Sequence, residues 1–347
     1  SMLNAQKRKL FVLSRFLNCI RLVRFGGGAF LSDVFFRAEH LKMQFYAGNK
    51  RKQMVLDDAS FTVEQGEAVG IVGPSGAGKS TIARIICGLI RPEYGDIYFK
   101  GTHIVGAEKT FQKEFRTQIQ LIPQQPYLSL DPKQKVGSSI MEPLFVHKLV
   151  KQKKQAQTCA YQLLHSVRLE RDIFTRYPGQ ISGGQAQRVV IARALAVNPK
   201  FIVCDEPISA LDVSVQAQIV NLLKKLQKER NISYLFIAHD LAMVKYISDR
   251  IAVMYMGSIV EIAEAEALYD HAYHPYTQLL ISAIPIPDPE VEENRKDEFS
   301  DFGLTSEFTC CGCRFADRCK ESKDICYKEK PKLKQIVPGH FVACHLY

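Results

Sequence analysis

Along the chain, short runs of consecutive apolar residues alternate with longer stretches of helical apolar spacing. "AVGIVG" (residues 68–73), "FIVCDE" (201–206) and "ISYLFIAHD" (232–240) are mostly apolar and close on a polar or glycine end. Such runs suit strands buried on both faces of a sheet. Shortly after the first of them, "STIARIICGLI" has the period of a helix. Strands alternating with helices predict an α/β domain with a largely parallel sheet over residues 37–285. Residues 106–180 carry a more helical pattern and predict an inserted helical subdomain.

The pattern breaks at both ends. Residues 1–36 form an arm of apolar residues interrupted by Arg15 and Arg21, closing on "FGGGAF", which reads as a hinge. "PIPDPEVEENRKDEFSD" (285–301) is proline-rich, then acidic, with few apolar positions, and predicts a linker. Beyond it lies a small cysteine-rich tail, so residues 286–347 are expected to be linker plus C-terminal extension. No apolar run reaches the ~18–20 residues needed to cross a bilayer, and the arm lacks a small-residue cleavage site for a secretory signal.

Charge refines this division. The net charge is +10, but residues 1–53 hold eleven lysines and arginines against only Asp33 and Glu39. The basic character therefore belongs to the arm, and the near-neutral body argues against nucleic acid as a partner. The arm's alternation of Arg with Leu, Phe and Ile suits a helix on an anionic membrane surface or one packed on a partner subunit. Of ten cysteines, Cys19, Cys87, Cys159 and Cys204 are scattered and read as small buried hydrophobes. The other six crowd into residues 310–344, unlike a disulfide framework spread over a secreted domain.

"GPSGAGKST" (73–81) fits the phosphate-loop pattern G-x-x-x-x-G-K-[ST] between a strand and a helix. Gly73, Gly76 and Gly78 allow the backbone of Gly73, Pro74, Ser75, Gly76, Ala77 and Gly78 to curl with its N–H groups inward. Lys79 can reach the β- and γ-phosphates, Ser80 can ligate Mg²⁺, and Thr81 completes the motif. "FIVCDE" supplies the acidic partner: Asp205 to hold Mg²⁺ through water, Glu206 as candidate base for the attacking water. His239, at the polar end of the third run, falls on the same sheet edge.

At "ISGGQAQR" (181–188), taken with "GPSGAGKST", "FIVCDEP", "SALD" and "IAHD", the sequence resembles the ATP-binding cassette (ABC) family over about residues 37–285. The resemblance implies a P-loop nucleotide-binding domain with an inserted helical subdomain. It implies a dimer that sandwiches two ATPs, each phosphate loop facing the Ser182-Gly183-Gly184-Gln185 loop of the other subunit. With one of each loop per chain, a second nucleotide-binding subunit is required. The resemblance also makes Gln124 the lid glutamine that contacts Mg²⁺ and the membrane partner, Asp212 a seam residue, Glu206 the catalytic base and His239 the γ-phosphate sensor. The usual adenine-stacking aromatic is missing: Met54 stands at the closest position, with Tyr46 as a substitute.

"EPISALDVSVQAQIVNLL", "SDRIAVMYMGSIVE" and "HPYTQLLISAIPIPDP" look like the ATPase subunits of oligopeptide and dipeptide importers, and the tail looks like their C-terminal extension. This implies ATP-driven peptide import by a peripheral subunit on the cytoplasmic side of the membrane. Its partners would be a related second ATPase, two permeases and an extracytoplasmic binding protein. Importers of nickel chelates, glutathione or antimicrobial peptides share the pattern. A soluble ABC protein acting on ribosomes or DNA is the alternative of another class. In the tail, Cys313, Cys319, Cys326 and Cys344 are spaced C-x5-C-x6-C-x17-C. Four thiolates suit zinc or a four-iron cluster. The absence of C-x2-C spacing among these four, and family members with a [4Fe-4S] cluster on matching cysteines, favour iron–sulfur. Cys310, Cys311 and His345 are extras, and a metal staple would make so small a tail foldable.

Overall fold

The computed structural model describes residues 34–47, 51–106, 115–209, 211–284 and 311–347. The basic arm up to residue 33, Cys310 and the acidic linker lie outside them. The first strands, β1 (Phe36–Ala47) and β2 (Arg51–Val63), pair antiparallel. β3 (Ala68–Val72) is followed by α1 (Lys79–Ile86), β4 (Tyr94–Phe99), β5 (Thr102–His103) and β6 (Ile119–Ile122). Two helices, α2 (Val136–Val146) and α3 (Lys153–Ser166), precede α4 (Gly183–Leu195) and β7 (Phe201–Asp205). Then come α5 (Val213–Arg230), β8 (Ser233–Ala238), α6 (Leu241–Ile247), β9 (Arg250–Tyr255) and β10 (Ser258–Glu264). The described chain closes with α7 (Ala265–Asp270), α8 (Pro275–Ser282), α9 (Asp324–Lys328), β11 (Lys334–Val337) and β12 (His340–Val342).

The expected parallel sheet is present. β9, β3, β8, β7 and β6 run parallel in that spatial order, and β10, β12 and β11 extend it antiparallel. A second, antiparallel sheet has the order β2-β1-β4-β5. The continuous apolar runs have a direct cause. Val69, Ile71, Val203 and Ile237 face one core, shared with α1 and the antiparallel sheet. Their strand neighbours Val72, Ile202, Cys204 and Phe236 face a second core, shared with α4, α5 and α6. A strand covered on both faces favours apolar residues at successive positions, and a polar one such as Ser233 needs a hydrogen-bond partner.

Two expectations change. The span 106–180 is not helical throughout: Ile119–Ile122 is an edge strand parallel to β7, and the main helices begin only at Val136. Four residues with Gln120 among them make too short a run to read as a strand. Of the scattered cysteines, Cys204 is buried, whereas Cys87 and Cys159 are only partly so.

The tail brings the larger correction. No group of three or more His, Cys, Asp and Glu among the described residues is arranged to hold a metal ion, so the [4Fe-4S] or zinc site on Cys313, Cys319, Cys326 and Cys344 is not supported. The thiols do sense one another: Cys313 is pushed up to about 11, first by burial and then by the charges of Cys326, Cys344 and Cys319. His345 is engaged elsewhere, its Nε2 donating to the Glu329 carbonyl at 2.8 Å. The tail borrows its core from the cassette. β12 pairs with β10, Ala343 N–H donates to the Val260 carbonyl at 2.8 Å, and Phe315 packs edge-on against Tyr255. Beneath this seam the fully buried Glu261 accepts from Tyr273 N–H (2.7 Å), His274 N–H (3.0 Å) and His340 Nε2 (2.7 Å).

His274 also caps α8. Its Nδ1 accepts from Tyr276 N–H at 3.0 Å, which requires the neutral imidazole. Burial, only partly opposed by the charge of Glu261, lowers its pKa to about 4. The unfolded chain then binds a proton that the folded chain refuses between roughly pH 6.5 and 4, so stability falls on acidification through that window. Chemical denaturation across it should show a loss of roughly 3 kcal/mol that His274→Asn flattens. An unchanged slope in the variant would remove His274 as the source.

Candidate nucleotide site

The phosphate loop leaves β3 at Val72 and enters α1 at Lys79. Its curl has two steric requirements. A Cβ on Gly73 would stand 2.2 Å from the Met254 carbonyl oxygen. Gly78 has φ +99° and its Cβ position lies 2.6 Å from the Val55 oxygen, so only glycine fits there. The loop is thus pressed against β2 and the β9–β10 turn, contacts with no local signal in the sequence.

Lys79 is 5 % exposed and folds back on the loop, its Nζ donating to the carbonyls of Gly73 (2.8 Å) and Pro74 (2.9 Å). Burial lowers its pKa, while Glu206 and Asp205 work to keep it charged. The ammonium is therefore stored next to the cradle it would serve. Ser80 Oγ donates to Asp205 Oδ1 at 2.8 Å, which brings the two expected Mg²⁺ ligands together at the end of β7. Burial raises the Asp205 pKa and the nearby Glu206 adds to the effect, opposed by the Ser80 hydrogen bond. A divalent cation would relieve that strain, and the oxygen-only donor set suits Mg²⁺.

Glu206 gathers the remaining expected residues. Its Oε2 accepts from Gln124 Nε2 at 2.8 Å and lies 3.7 Å from His239 Nδ1, while its Oε1 stands 4.0 Å from Lys79 Nζ. Its φ of +47° is uncommon for a non-glycine residue and turns the chain sharply off β7, swinging the carboxylate over the sheet edge. Asp240 positions its neighbour His239 by capping α6, its Oδ1 accepting from Ala242 N–H (2.9 Å) and Met243 N–H (3.4 Å).

Ser182 and Gln185 are not joined to this cluster by hydrogen bonds. They close on each other as the N-terminal cap of α4: Ser182 Oγ accepts from Gln185 N–H (3.3 Å) and Gln185 Oε1 from Ser182 N–H (3.0 Å). Gly184 has Val215 against its Cβ position, and Gly183 has Leu211. Asp212 is exposed at the start of α5. Tyr46, 74 % exposed, pairs in register with Lys52, and half-buried Met54 pairs with Gln44. Two residues without a motif link the parts. Tyr127 hydroxyl donates to the Ile181 carbonyl at 2.8 Å, and Arg193 Nη1 to the Ser129 carbonyl at 2.6 Å. They tie the Gln124 segment to the helix that begins at Ser182.

Comparison with known proteins gives the arrangement its kinship. The family model described as ABC transporter matches residues 56–209, from β2 to just past Glu206. A protein named putative oligopeptide transport ATP-binding protein YkfD, from Bacillus subtilis, is 49 % identical over 88 % of this chain and 94 % of its own. The chain belongs to the ABC transporter ATPase family. A second model, oligopeptide/dipeptide transporter C-terminal region, matches residues 260–326 of this ABC ATPase. Oligopeptide transport ATP-binding protein OppF of Bacillus subtilis is 46 % identical to it over 90 % of this chain and 97 % of its own. The solved dimer of the ATP-binding cassette MJ0796 bound to ADP and Pi superimposes with a TM-score of 0.61 at 29 % identity, over 66 % of this chain and 98 % of that one. ATP and Mg²⁺ are the expected ligands of such an ATPase, and the loop, Lys79, Ser80 and Asp205 fit them. No helix among the described residues is long and apolar enough to cross a membrane.

Proposed function

We propose that this ABC ATPase powers uptake of oligopeptides or dipeptides, as a peripheral subunit on the cytoplasmic face of a membrane transporter. The observation that carries the reading is the match of residues 260–326 to the C-terminal region of oligopeptide and dipeptide transporters. Its partners in this reading are a related second ATPase, two permeases and an extracytoplasmic binding protein. The domain division follows: a cassette over residues 37–285 with a helical lobe around α2 and α3, then linker and extension.

Within the cassette, Glu206 is the base that takes a proton from the attacking water. Gln124 and His239 orient its carboxylate, and His239 reports the γ-phosphate. Ser80 and Asp205 would hold Mg²⁺, which would supply positive charge to offset the negative charge of the phosphates. Lys79 leaves the carbonyls of Gly73 and Pro74 to meet the phosphates, exchanging two neutral acceptors for anionic ones. Ser182, Gly183, Gly184 and Gln185 serve a nucleotide held by the other cassette, with helix N-terminus and small side chains favouring close approach of an anion. The Tyr127 and Arg193 hydrogen bonds support a rigid relay from Gln124 to that loop, so closure of the dimer moves both together. Tyr46 is the better adenine platform, since a ring offers a stacking face that the Met54 thioether lacks.

Uptake of a labelled tripeptide by cells lacking this subunit is the test. Wild-type protein should restore uptake, and Lys79→Ala, which removes the phosphate cation, should leave it near background. Undiminished peptide uptake in the deletion strain, with loss of a different cargo, would replace the peptide reading.

A further inference from the structure

The tail reaches the phosphate loop through one carboxylate. Asp57 lies on β2, and its N–H donates to the Gly257 carbonyl at 2.8 Å. Gly257 N–H in turn donates to the carbonyl of Ala77, in the phosphate loop, at 3.0 Å. Backbone meets backbone here: Cβ atoms on Gly78 and on Gly257 would each stand 2.6 Å from the Val55 oxygen. The Val55 oxygen belongs to the β2 backbone and cannot swing aside as a side chain would, so β2, the β9–β10 turn and the loop shift together.

Two cations from the tail hold the other side of Asp57. Arg314 Nη2 and Lys330 Nζ both lie 2.9 Å from its Oδ2. Lys330 Nζ also donates to the Asp57 carbonyl at 2.7 Å, which accepts from Ser258 Oγ at 2.9 Å as well. Burial alone would raise the Asp57 pKa, but the hydrogen bonds and charges of Arg314 and Lys330 outweigh it and keep the carboxylate ionised. Two positive groups on one shielded carboxylate make a stiffer clamp than a single exposed ion pair.

We propose that Arg314 and Lys330 are positioning residues for the nucleotide: by fixing Asp57 and, through Gly257, the height of Ala77 and Gly78, they set the phosphate loop against its ligand. The tail is then part of the nucleotide site's support. Because the loop's N–H groups cradle phosphates shared by both nucleotides, ATP and ADP depend on the clamp alike.

Titration of the full-length protein with fluorescent ATP and ADP analogues tests this. Arg314→Met with Lys330→Met should weaken both nucleotides by roughly tenfold, measured well below the melting transition of the variant. Asp57→Asn should match that loss, and the triple variant should be no weaker, since all three changes break one linkage. Arg314→Lys should restore most of the affinity by returning the charge. A lowered melting temperature with unchanged nucleotide affinity would overturn the proposal, as would losses that add in the triple variant. Should the double variant fail to fold, Lys330→Met alone changes a side chain already partly in solvent. A loss of roughly threefold would then support the clamp, and unchanged affinity would reject it.

Discussion

Exchanging Glu206 for glutamine is expected to lower ATP turnover by roughly 10²–10⁴-fold while ATP stays bound. The carboxylate sits where three expected parts of the site meet, accepting from Gln124 and standing within 4.0 Å of Lys79 and 3.7 Å of His239. Glutamine keeps the size and one acceptor oxygen, so the Gln124 contact survives, but an amide cannot take a proton from water. It also removes a negative charge from the neighbourhood of the phosphates, which favours retention of ATP. Phosphate release and retained nucleotide, measured on the same preparation, check the two halves separately. Hydrolysis within about threefold of wild type would give the role of base to another group.

The largest stability effect is expected at Glu261, far from any motif. Glu261→Ala would leave the N–H groups of Tyr273 and His274 and the His340 ring without their acceptor. Stranded buried donors cost about 1–3 kcal/mol each, and the total expected loss is about 3–5 kcal/mol after partial relaxation. On a chain of this length that is a fall of roughly 4–7 °C in melting temperature. β12 should loosen from β10 and expose the tail to protease before the cassette. Glu261→Gln, which keeps an acceptor, should recover part of the loss. A change below about 1 kcal/mol would mean that the β10–β12 ladder and Phe315 dock the tail without the carboxylate.

The two residues differ in how much the sequence foretold. Glu206 ends an apolar run beside Asp205, and with the phosphate loop in place that position makes it the candidate base. Glu261 reads as one acidic residue in "GSIVEIAE", with the spacing of a solvent-facing strand position. Only the docking of His340 and the turn at Tyr273–His274 turns it inward, and those partners lie 79, 12 and 13 residues away. The tail's cysteines misled for a related reason. Their crowding was plain, yet spacing carried no information about whether a separate core, a metal or the cassette's own sheet would hold the tail.

By itself the sequence determined the parallel α/β core, because strands buried on both faces are apolar at nearly every position. It determined the phosphate loop and the Asp205–Glu206 strand end, and through the family resemblance it marked the Ser182–Gln185 loop, because such motifs set residue types at short spacings; that Ser182 and Gln185 cap each other was seen only in the structure. Tertiary structure alone decided that Gln124 meets Glu206, that Tyr127 grips Ile181, that β12 completes the sheet and that Arg314 and Lys330 close on Asp57. Each of these joins positions 54 to 273 residues apart. Contacts at that range depend on how whole elements pack, and no local period or spacing along the chain records that packing.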